Sequence, residues 1–278
     1  MKIGIVGLGL IGGSLAKAFK TGGHSICGYD NDPGVLQYAQ LTGVIDQVLT
    51  AQNTADCDYL FIALYPAATL QYLTDNADIF AKSSVIIDCC GVKEIICPHG
   101  FQLAEQHGFT FIGGHPMAGI QYSGLKHARE NLFHNASMIL VPKKGEDISL
   151  LEKTKTLLQS AGFAQVTVST AAEHDRIIAF TSQLAHVVSN AYVKSPSAVV
   201  HKGFSAGSYR DLTRVARLNE NMWAELFLDN SQNLSTEIST IISELTKYKN
   251  AIDQQDFAAL KDLLREGREK KEKIEGRI

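Results

Sequence analysis

The chain is poor in the features that mark membrane, nucleic-acid-binding or secreted proteins. No apolar run reaches the ~18 residues that span a bilayer, so no membrane partner is expected. The first residues also lack a signal peptide, because a glycine-rich stretch breaks their apolar run and no small-residue cleavage site follows. A net charge of -3 gives no electrostatic case for binding nucleic acid or an anionic lipid surface. The five cysteines, Cys27, Cys57, Cys89, Cys90 and Cys97, are odd in number and contain no C-x-x-C pair. That argues against a disulfide framework and for reduced, cytoplasmic thiols serving as small buried hydrophobes. No metal site is expected. There is no internal repeat, and the charged run 265–278 reads as a solvated helical end.

What is present is globular. With 278 residues, 45% of them hydrophobic and 20% charged, the chain has room for one domain of usual size and a smaller second one. Its partner should be a small molecule.

The stretch that organises the rest is the first turn. Lys2 to Val6 is a short apolar strand, and Gly7-Leu8-Gly9-Leu10-Ile11-Gly12 follows as G-x-G-x-x-G, continued by Ser14 to Phe19 at helical spacing. In that strand–turn–helix context the pattern is a dinucleotide fingerprint. Gly7 permits the tight turn, Gly9 lets a pyrophosphate approach the backbone, and Gly12 lets the helix pack on the strand. The helix N-terminus offers unpaired N–H groups to the anion. A second strand, Ile26 to Asp30, ends in an acid at the distance expected for a ribose-binding carboxylate. Asp30 favours NAD over NADP, since a carboxylate repels a 2′-phosphate and Asn31-Asp32-Pro33 brings no arginine.

Strand and helix patterns then alternate. Tyr59–Leu64, Ser84–Asp88 and Phe109–Gly114 read as buried parallel strands, with a helix over Thr69–Phe80. A strand at Met138–Val141, a helix over Ser149–Ser160 and a strand at Val166–Thr170 extend the sheet. Ligands in such sheets lie beyond the carboxyl ends of the strands. This puts Leu64-Tyr65-Pro66, Gly91 and His115 on the rim of the glycine loop, the first four as cofactor contacts.

From Glu173 the pattern is helical. Ile177, Phe180, Leu184, Val187, Val188 and Ala191 recur at three and four, and Trp223, Phe227, Leu234, Ile238, Ile241, Leu245 and Tyr248 form one long stripe. The fold class is therefore α/β. Residues 1–170 form a Rossmann-type, doubly wound, mostly parallel NAD-binding domain, and 171–278 form an all-α domain whose wide apolar band predicts a homodimer.

Gly113-Gly114-His115-Pro116-Met117-Ala118-Gly119, together with the N-terminal fingerprint and Phe204 to Arg214, resembles the prephenate and arogenate dehydrogenases of tyrosine biosynthesis over nearly the whole chain. The resemblance implies NAD-dependent oxidative decarboxylation of prephenate to 4-hydroxyphenylpyruvate, with arogenate as the alternative substrate. His115 is then the base that acts on the ring hydroxyl, a task suited to imidazole near neutral pH. It also implies that Ser182, His186, Gly207, Arg214 and Trp223 contact the substrate, Arg214 as the carboxylate-binding guanidinium. Asp211 resembles a position reaching toward a partner subunit.

Two departures stand out. The family's S-H-L-P-H reads Ser182-Gln183-Leu184-Ala185-His186, and without the proline the helix should run straighter. In the D-x-x-S-V-K segment Gly91 replaces the serine that hydrogen-bonds the histidine, leaving a water, a backbone group or Cys90 to orient His115. Rival readings are a β-hydroxyacid dehydrogenase or imine reductase, which explain the fingerprint alone, and a non-catalytic NAD sensor.

Overall fold

The structure is a computed structural model that describes residues 1–201 and 203–276. The chain divides into two compact units, residues 1–230 and 231–278, and each is described by itself.

The first unit is built on one eight-stranded sheet. Its strands are β1 (Lys2–Val6), β2 (Ser25–Tyr29), β3 (Gln47–Val48), β4 (Tyr59–Ile62), β5 (Val85–Asp88), β6 (Thr110–Pro116), β7 (Ser137–Pro142) and β8 (Gln165–Val168). They lie in the order β3-β2-β1-β4-β5-β6-β7-β8, and every pair is parallel except β6 and β7. The order reverses between β1 and β4, which is where a doubly wound sheet opens its ligand crevice.

Helices α1 (Leu10–Thr21), α2 (Pro33–Leu41), α3 (Ala51–Thr54), α4 (Pro66–Asn76), α5 (Ile96–His107) and α6 (Ile148–Ser160) follow the strands in turn. The strand pleat explains why both faces are covered. Ile3, Ile5, Phe61 and Ile87 point to the face packed by Leu15 and Phe19 of α1. Val6, Leu60, Ile62 and Ile86 point to the face packed by Leu73 of α4 and Leu103 of α5. Each such side chain, taken fully out of water, contributes about 1.5–3 kcal/mol. Four of the five cysteines are buried and Cys89 is partly so, all as free thiols.

Helical structure resumes with α7 (Ala171–Ile178), whose N-cap Thr170 accepts a hydrogen bond from the Glu173 amide. The next six residues, Ala179–Leu184, form a π-helical segment that leads without a break into α8 (Ala185–Tyr192). A wide turn adds one residue to the helix and shifts the phase of its faces. Along this helix Ile177 and Phe180 are exposed, while His174, Asp175, Ile178 and Gln183 turn inward. Then come α9 (Gly207–Thr213) and α10 (Glu220–Asp229).

The long stripe expected from Trp223 to Tyr248 is two helices. Asn230 leaves helical geometry at φ -119° and ψ 30°. Its side chain donates to the Asp175 carbonyl and to Gln183 Oε1, long-range partners that hold the residue where the helix ends.

The second unit is a hairpin of α11 (Ser231–Asp253) and α12 (Phe257–Ile274). Gln255 takes the left-handed turn conformation at φ 53°, and Asp256 caps α12 through the Ala259 amide. The charged end is regular helix to Ile274, laced by pairs such as Arg268–Glu272 and Lys270–Glu266. Residues 277 and 278 of the expected tail lie outside the described residues. Among the described residues no helix is long and apolar enough to cross a membrane.

Candidate active site

The glycine loop is shaped by contacts that tolerate no Cβ at two positions and leave a third open. Gly7 has φ +86°, and a Cβ there would sit 2.6 Å from the Ala63 carbonyl oxygen. A Cβ on Gly12 would lie 1.8 Å from the Gly7 carbonyl oxygen, so any side chain would drive the loop away from the start of α1. At Gly9 a Cβ would meet nothing within 4 Å, which leaves its face of the loop free for a ligand. Gly9 is also the N-cap of α1 and makes no side-chain capping bond, so the first-turn N–H groups of Leu10 and Ile11 face outward as an anion-binding end.

Asp30 meets the loop from the end of β2. Its Oδ2 accepts from the Leu8 amide at 2.8 Å and its Oδ1 from the Asp32 amide at 3.0 Å. The carboxylate is therefore fixed in place while its remaining lone pairs stay open to ribose hydroxyls. Leu8 contributes that backbone amide only, because its side chain is fully buried in the core. Leu64, Tyr65 and Pro66 follow β4 and lead into α4, with Tyr65 half exposed and Pro66 at the first helical turn. Leu64 lines a cavity of about 410 Å³ with Tyr29, Thr50, Gln71 and Tyr72, beside the Asp30 strand end. These residues fit a dinucleotide.

His115 lies near the carboxyl end of β6 on the same rim, paired with Ile139 of β7. Beneath it is a fully buried ion pair, Asp88 with Lys93. Asp88 also accepts from the Gly114 and Cys90 amides, which ties β5 to the residue before the histidine. Burial alone would lower the Lys93 pKa, but the Asp88 carboxylate outweighs it and holds the ammonium charged.

What orients His115 is a residue the sequence reading passed over. His115 Nδ1 lies 2.9 Å from His174 Nε2, and His174 Nδ1 lies 2.6 Å from Asp175 Oδ1. Neither Cys90 nor Gly91 takes that part. Cys90 Sγ points to Thr69 Oγ1 and the Leu64 carbonyl. Gly91 has no side chain to offer, and a Cβ there would be 3.9 Å from His115 Nε2 and crowded at 3.3 Å from Leu226 Cδ2. Burial above all pushes the His115 pKa well below its ordinary value, so the ring is neutral near pH 7.

Two of the expected substrate groups, His186 and Trp223, meet at α10. Leu226, against Gly91, and Trp223 are three residues apart and share one face of that helix, about 4.5 Å along its axis. Trp223 stacks on His186 with ring centroids 3.8 Å apart. His186 Nδ1 lies 2.9 Å from the Ser182 carbonyl oxygen, so the Ser182 contact seen here is through its backbone. Burial lowers the His186 pKa; the Ser182 carbonyl opposes this, and the Arg214 guanidinium lowers it further. Arg214 is exposed and has no carboxylate partner among the described residues. Gly207 opens α9, and a Cβ there would meet nothing within 4 Å.

The signal that could have revealed His174 and Asp175 is an adjacent histidine and aspartate placed in phase with buried Ile178 at the start of a helix. Asp175 accepts from the Lys93 and Glu94 amides, both at 2.8 Å. Among the described residues no cluster of three His, Cys, Asp or Glu side chains is arranged to hold a metal ion.

Comparison with known proteins agrees with this geometry. The family model "Prephenate dehydrogenase, nucleotide-binding domain" matches residues 15–167, and "Prephenate dehydrogenase, dimerization domain" matches 170–266. A prephenate dehydrogenase of Lactococcus lactis is 32% identical over 99% of this chain and 77% of its own length. The crystal structure of Synechocystis arogenate dehydrogenase aligns with a TM-score of 0.83 at 26% identity, over 99% of this chain and all of that one. Prephenate dehydrogenase from Aquifex aeolicus, solved with hydroxyphenyl propionate and NAD+, aligns with a TM-score of 0.80 at 27% identity, over 99% of this chain and 98% of that one. With a nucleotide cradle and a partly buried histidine on one rim and both family models accounting for most of its length, the chain belongs to the prephenate dehydrogenase family of oxidoreductases.

Proposed function

We propose that the protein catalyses the NAD-dependent oxidative decarboxylation of prephenate to 4-hydroxyphenylpyruvate, with His115 as the general base. The observation that carries the reading is a neutral imidazole whose Nε2 lies beside the side-chain-free Gly91, on the rim that also holds the glycine loop. Prephenate bears a hydroxyl and a hydrogen on one ring carbon and a carboxylate on the carbon opposite. Taking the hydroxyl proton lets the hydrogen leave as hydride while CO₂ departs and the ring becomes aromatic. Bound at Gly7–Gly12, NAD+ supplies the hydride acceptor.

This chain's own residues do the rest. His115 takes the proton at Nε2. Arg214 meets a substrate carboxylate, and Ser182, His186, Gly207 and Trp223 hold the ring and its second acid group. Leu8, Leu10 and Ile11 carry the loop between its glycines, Asp30 receives the adenosine ribose, and Leu64, Tyr65, Pro66 and Gly91 border the cofactor. A carboxylate at Asp30 favours NAD over NADP.

The same proposal divides the chain by role at Thr170, into a nucleotide-binding part over 1–170 and a substrate-binding, dimerising part over 171–278. The dimerization-domain match supports a homodimer, as do exposed apolar side chains such as Phe180, Val199, Val200 and Phe204. A cytoplasmic setting accords with five free thiols.

The test is absorbance at 340 nm with NAD or NADP crossed against prephenate or arogenate. Reduction of NAD with prephenate is the expected result. Turnover with arogenate alone would move the assignment to arogenate dehydrogenase, and no turnover in any of the four mixtures would end the reading as a dehydrogenase of either acid.

A further inference from the structure

His115 has one side-chain tether among the described residues, and it runs to another histidine. The Asp175 carboxylate lies at the far end of that line, almost fully buried, with His174 fully buried between. An ionised carboxylate can only accept hydrogen bonds. Three donors converge on Asp175: the Lys93 and Glu94 amides and His174 Nδ1. A general base at His115 Nε2 requires His174 with its single proton on Nδ1 and its Nε2 bare, so that the hydrogen between the two imidazoles belongs to His115 Nδ1. That arrangement leaves the lone pair of His115 on Nε2, the ring atom beside Gly91.

We propose that His174 and Asp175 are positioning residues that fix His115 in its Nδ1–H tautomer, with Nε2 bare toward the substrate hydroxyl. The assignment rests on the reading of His115 as the base and adds which nitrogen acts and what holds it. In the opposite tautomer Nε2 would carry a hydrogen and could not take another while neutral. The pair also suits the charge that develops: once Nε2 is protonated, the imidazolium keeps its Nδ1–H on His174, whose other side faces a carboxylate.

The mount is rigid. Asn230 Nδ2 donates to the Asp175 carbonyl at 2.8 Å and to Gln183 Oε1 at 2.9 Å, and Gln183 Nε2 donates to the Leu226 carbonyl at 3.0 Å. The helix that carries the pair is thereby held to α10, the helix whose Leu226 packs at Gly91. Gln183 stands where the related S-H-L-P-H motif has a histidine, and Gly91 where the related serine would hold the imidazole.

The experiment is ¹⁵N NMR of the full chain labelled at histidine, with His115 assigned by difference against His115→Asn, alongside kinetics of His174→Leu and His174→Gln. Wild type should show His115 protonated at Nδ1 and bare at Nε2. His174→Leu removes the acceptor, so kcat should fall about 10²-fold, below the ~10⁴-fold seen when a triad histidine is held in the wrong tautomer. KM for prephenate and NADH affinity should stay near wild type. His174→Gln keeps an oxygen near the Nε2 position and should recover about tenfold of that loss, with the Nδ1–H tautomer restored.

An Nε2–H tautomer in the wild-type enzyme overturns the proposal, and needs no variant to fold. So does wild-type kcat in His174→Leu, or a Gln variant no better than Leu. If His115→Asn itself turns over like wild type, the base assignment fails instead, while the tautomer is still decided by the spectrum.

Discussion

The glycine loop and the His115 corner sit on one rim of the sheet and are built in opposite ways. The loop is made of backbone: Gly7, Gly9 and Gly12 shape it by having no side chains, and it presents free N–H groups to the ligand. The corner is made of side chains, and nearly every polar atom in it is already spoken for. Asp88 holds Lys93 and two amides, Asp175 holds His174 and two amides, and His174 holds His115. A loop of that kind can be altered at an open position with little cost to folding. A corner of that kind cannot lose one member without stranding another in a medium where unpaired polar groups are expensive.

Replacing the base should give the largest effect. His115→Asn is expected to lower kcat by about 10²–10⁴-fold with NADH affinity nearly unchanged, equivalent to roughly 3–5 kcal/mol of barrier. Steady-state kinetics beside an NADH fluorescence titration checks both halves, and a kcat within a few-fold of wild type would remove His115 from the chemistry. The pH profile carries the sign. A base must be unprotonated, and burial pushes the His115 pKa well below its usual value. The acid limb of kcat/KM, which reports the free enzyme, should therefore fall below about pH 6.5. A limb at or above that value would mean the corner is wetter than its geometry implies.

Next comes the ion pair beneath the histidine. Lys93→Met strips the Asp88 carboxylate of its only charged partner among the described residues, in a site with no solvent exposure. Breaking a buried pair on one side typically costs about 3–5 kcal/mol. The quantity to measure is the denaturant midpoint of the variant, with Lys93→Met/Asp88→Asn as its control. The double variant should recover part of the loss, and a shift under ~1 kcal/mol in the single variant would show that Asp88 finds another partner.

The contrast also governs what could be read without coordinates. The loop is local: strand, glycines, helix and the acid at Asp30 fall within thirty residues, so spacing alone exposes them. The sheet was legible for the same reason, since buried parallel strands such as Tyr59–Ile62 are unbroken apolar runs. His115 was found because glycines and a proline frame it. Its supports were not, because Asp88, Lys93, His174, Asp175 and Asn230 come together only in three dimensions. The π segment at Ala179–Leu184 made this harder. Ile177 and Phe180 face outward while Asp175 and Gln183 face inward, and the π turn at 179–184 changes the phase of the residues after it, so the apolar stripe pointed to the wrong face. The helix break at Asn230 was hidden similarly, because the contacts that favour it come from Asp175 and Gln183.

Arg214→Ala probes a group whose guanidinium has no carboxylate partner of its own among the described residues, so its loss strands nothing in the folded chain. The effect should be confined to substrate. KM for prephenate should rise about 10- to 100-fold, in line with roughly 1.5–3 kcal/mol for a charge-assisted hydrogen bond, with stability unchanged. An unaltered KM would take Arg214 out of the carboxylate site.

The smallest effect should come from Gly9→Ala, the cleanest comparison with the corner. An added methyl meets nothing within 4 Å, and Gly9 has a negative φ of -74° that alanine tolerates. Folding should therefore be unaffected, and thermal melting of the variant without nucleotide should overlay wild type. The methyl does project from the N-cap of α1, where a pyrophosphate would need to approach the first-turn N–H groups. NADH should bind about tenfold more weakly, roughly 1.4 kcal/mol, while Gly12→Ala, with its Cβ 1.8 Å from the Gly7 carbonyl oxygen, should lose stability as well as affinity. If Gly9→Ala binds NADH as wild type does, the dinucleotide does not cross the loop at that residue, and the open face at Gly9 is merely solvent-exposed backbone. If instead it melts early, the loop is packed as tightly as the corner, and the distinction between a site made by leaving side chains out and one made by pairing every side chain collapses.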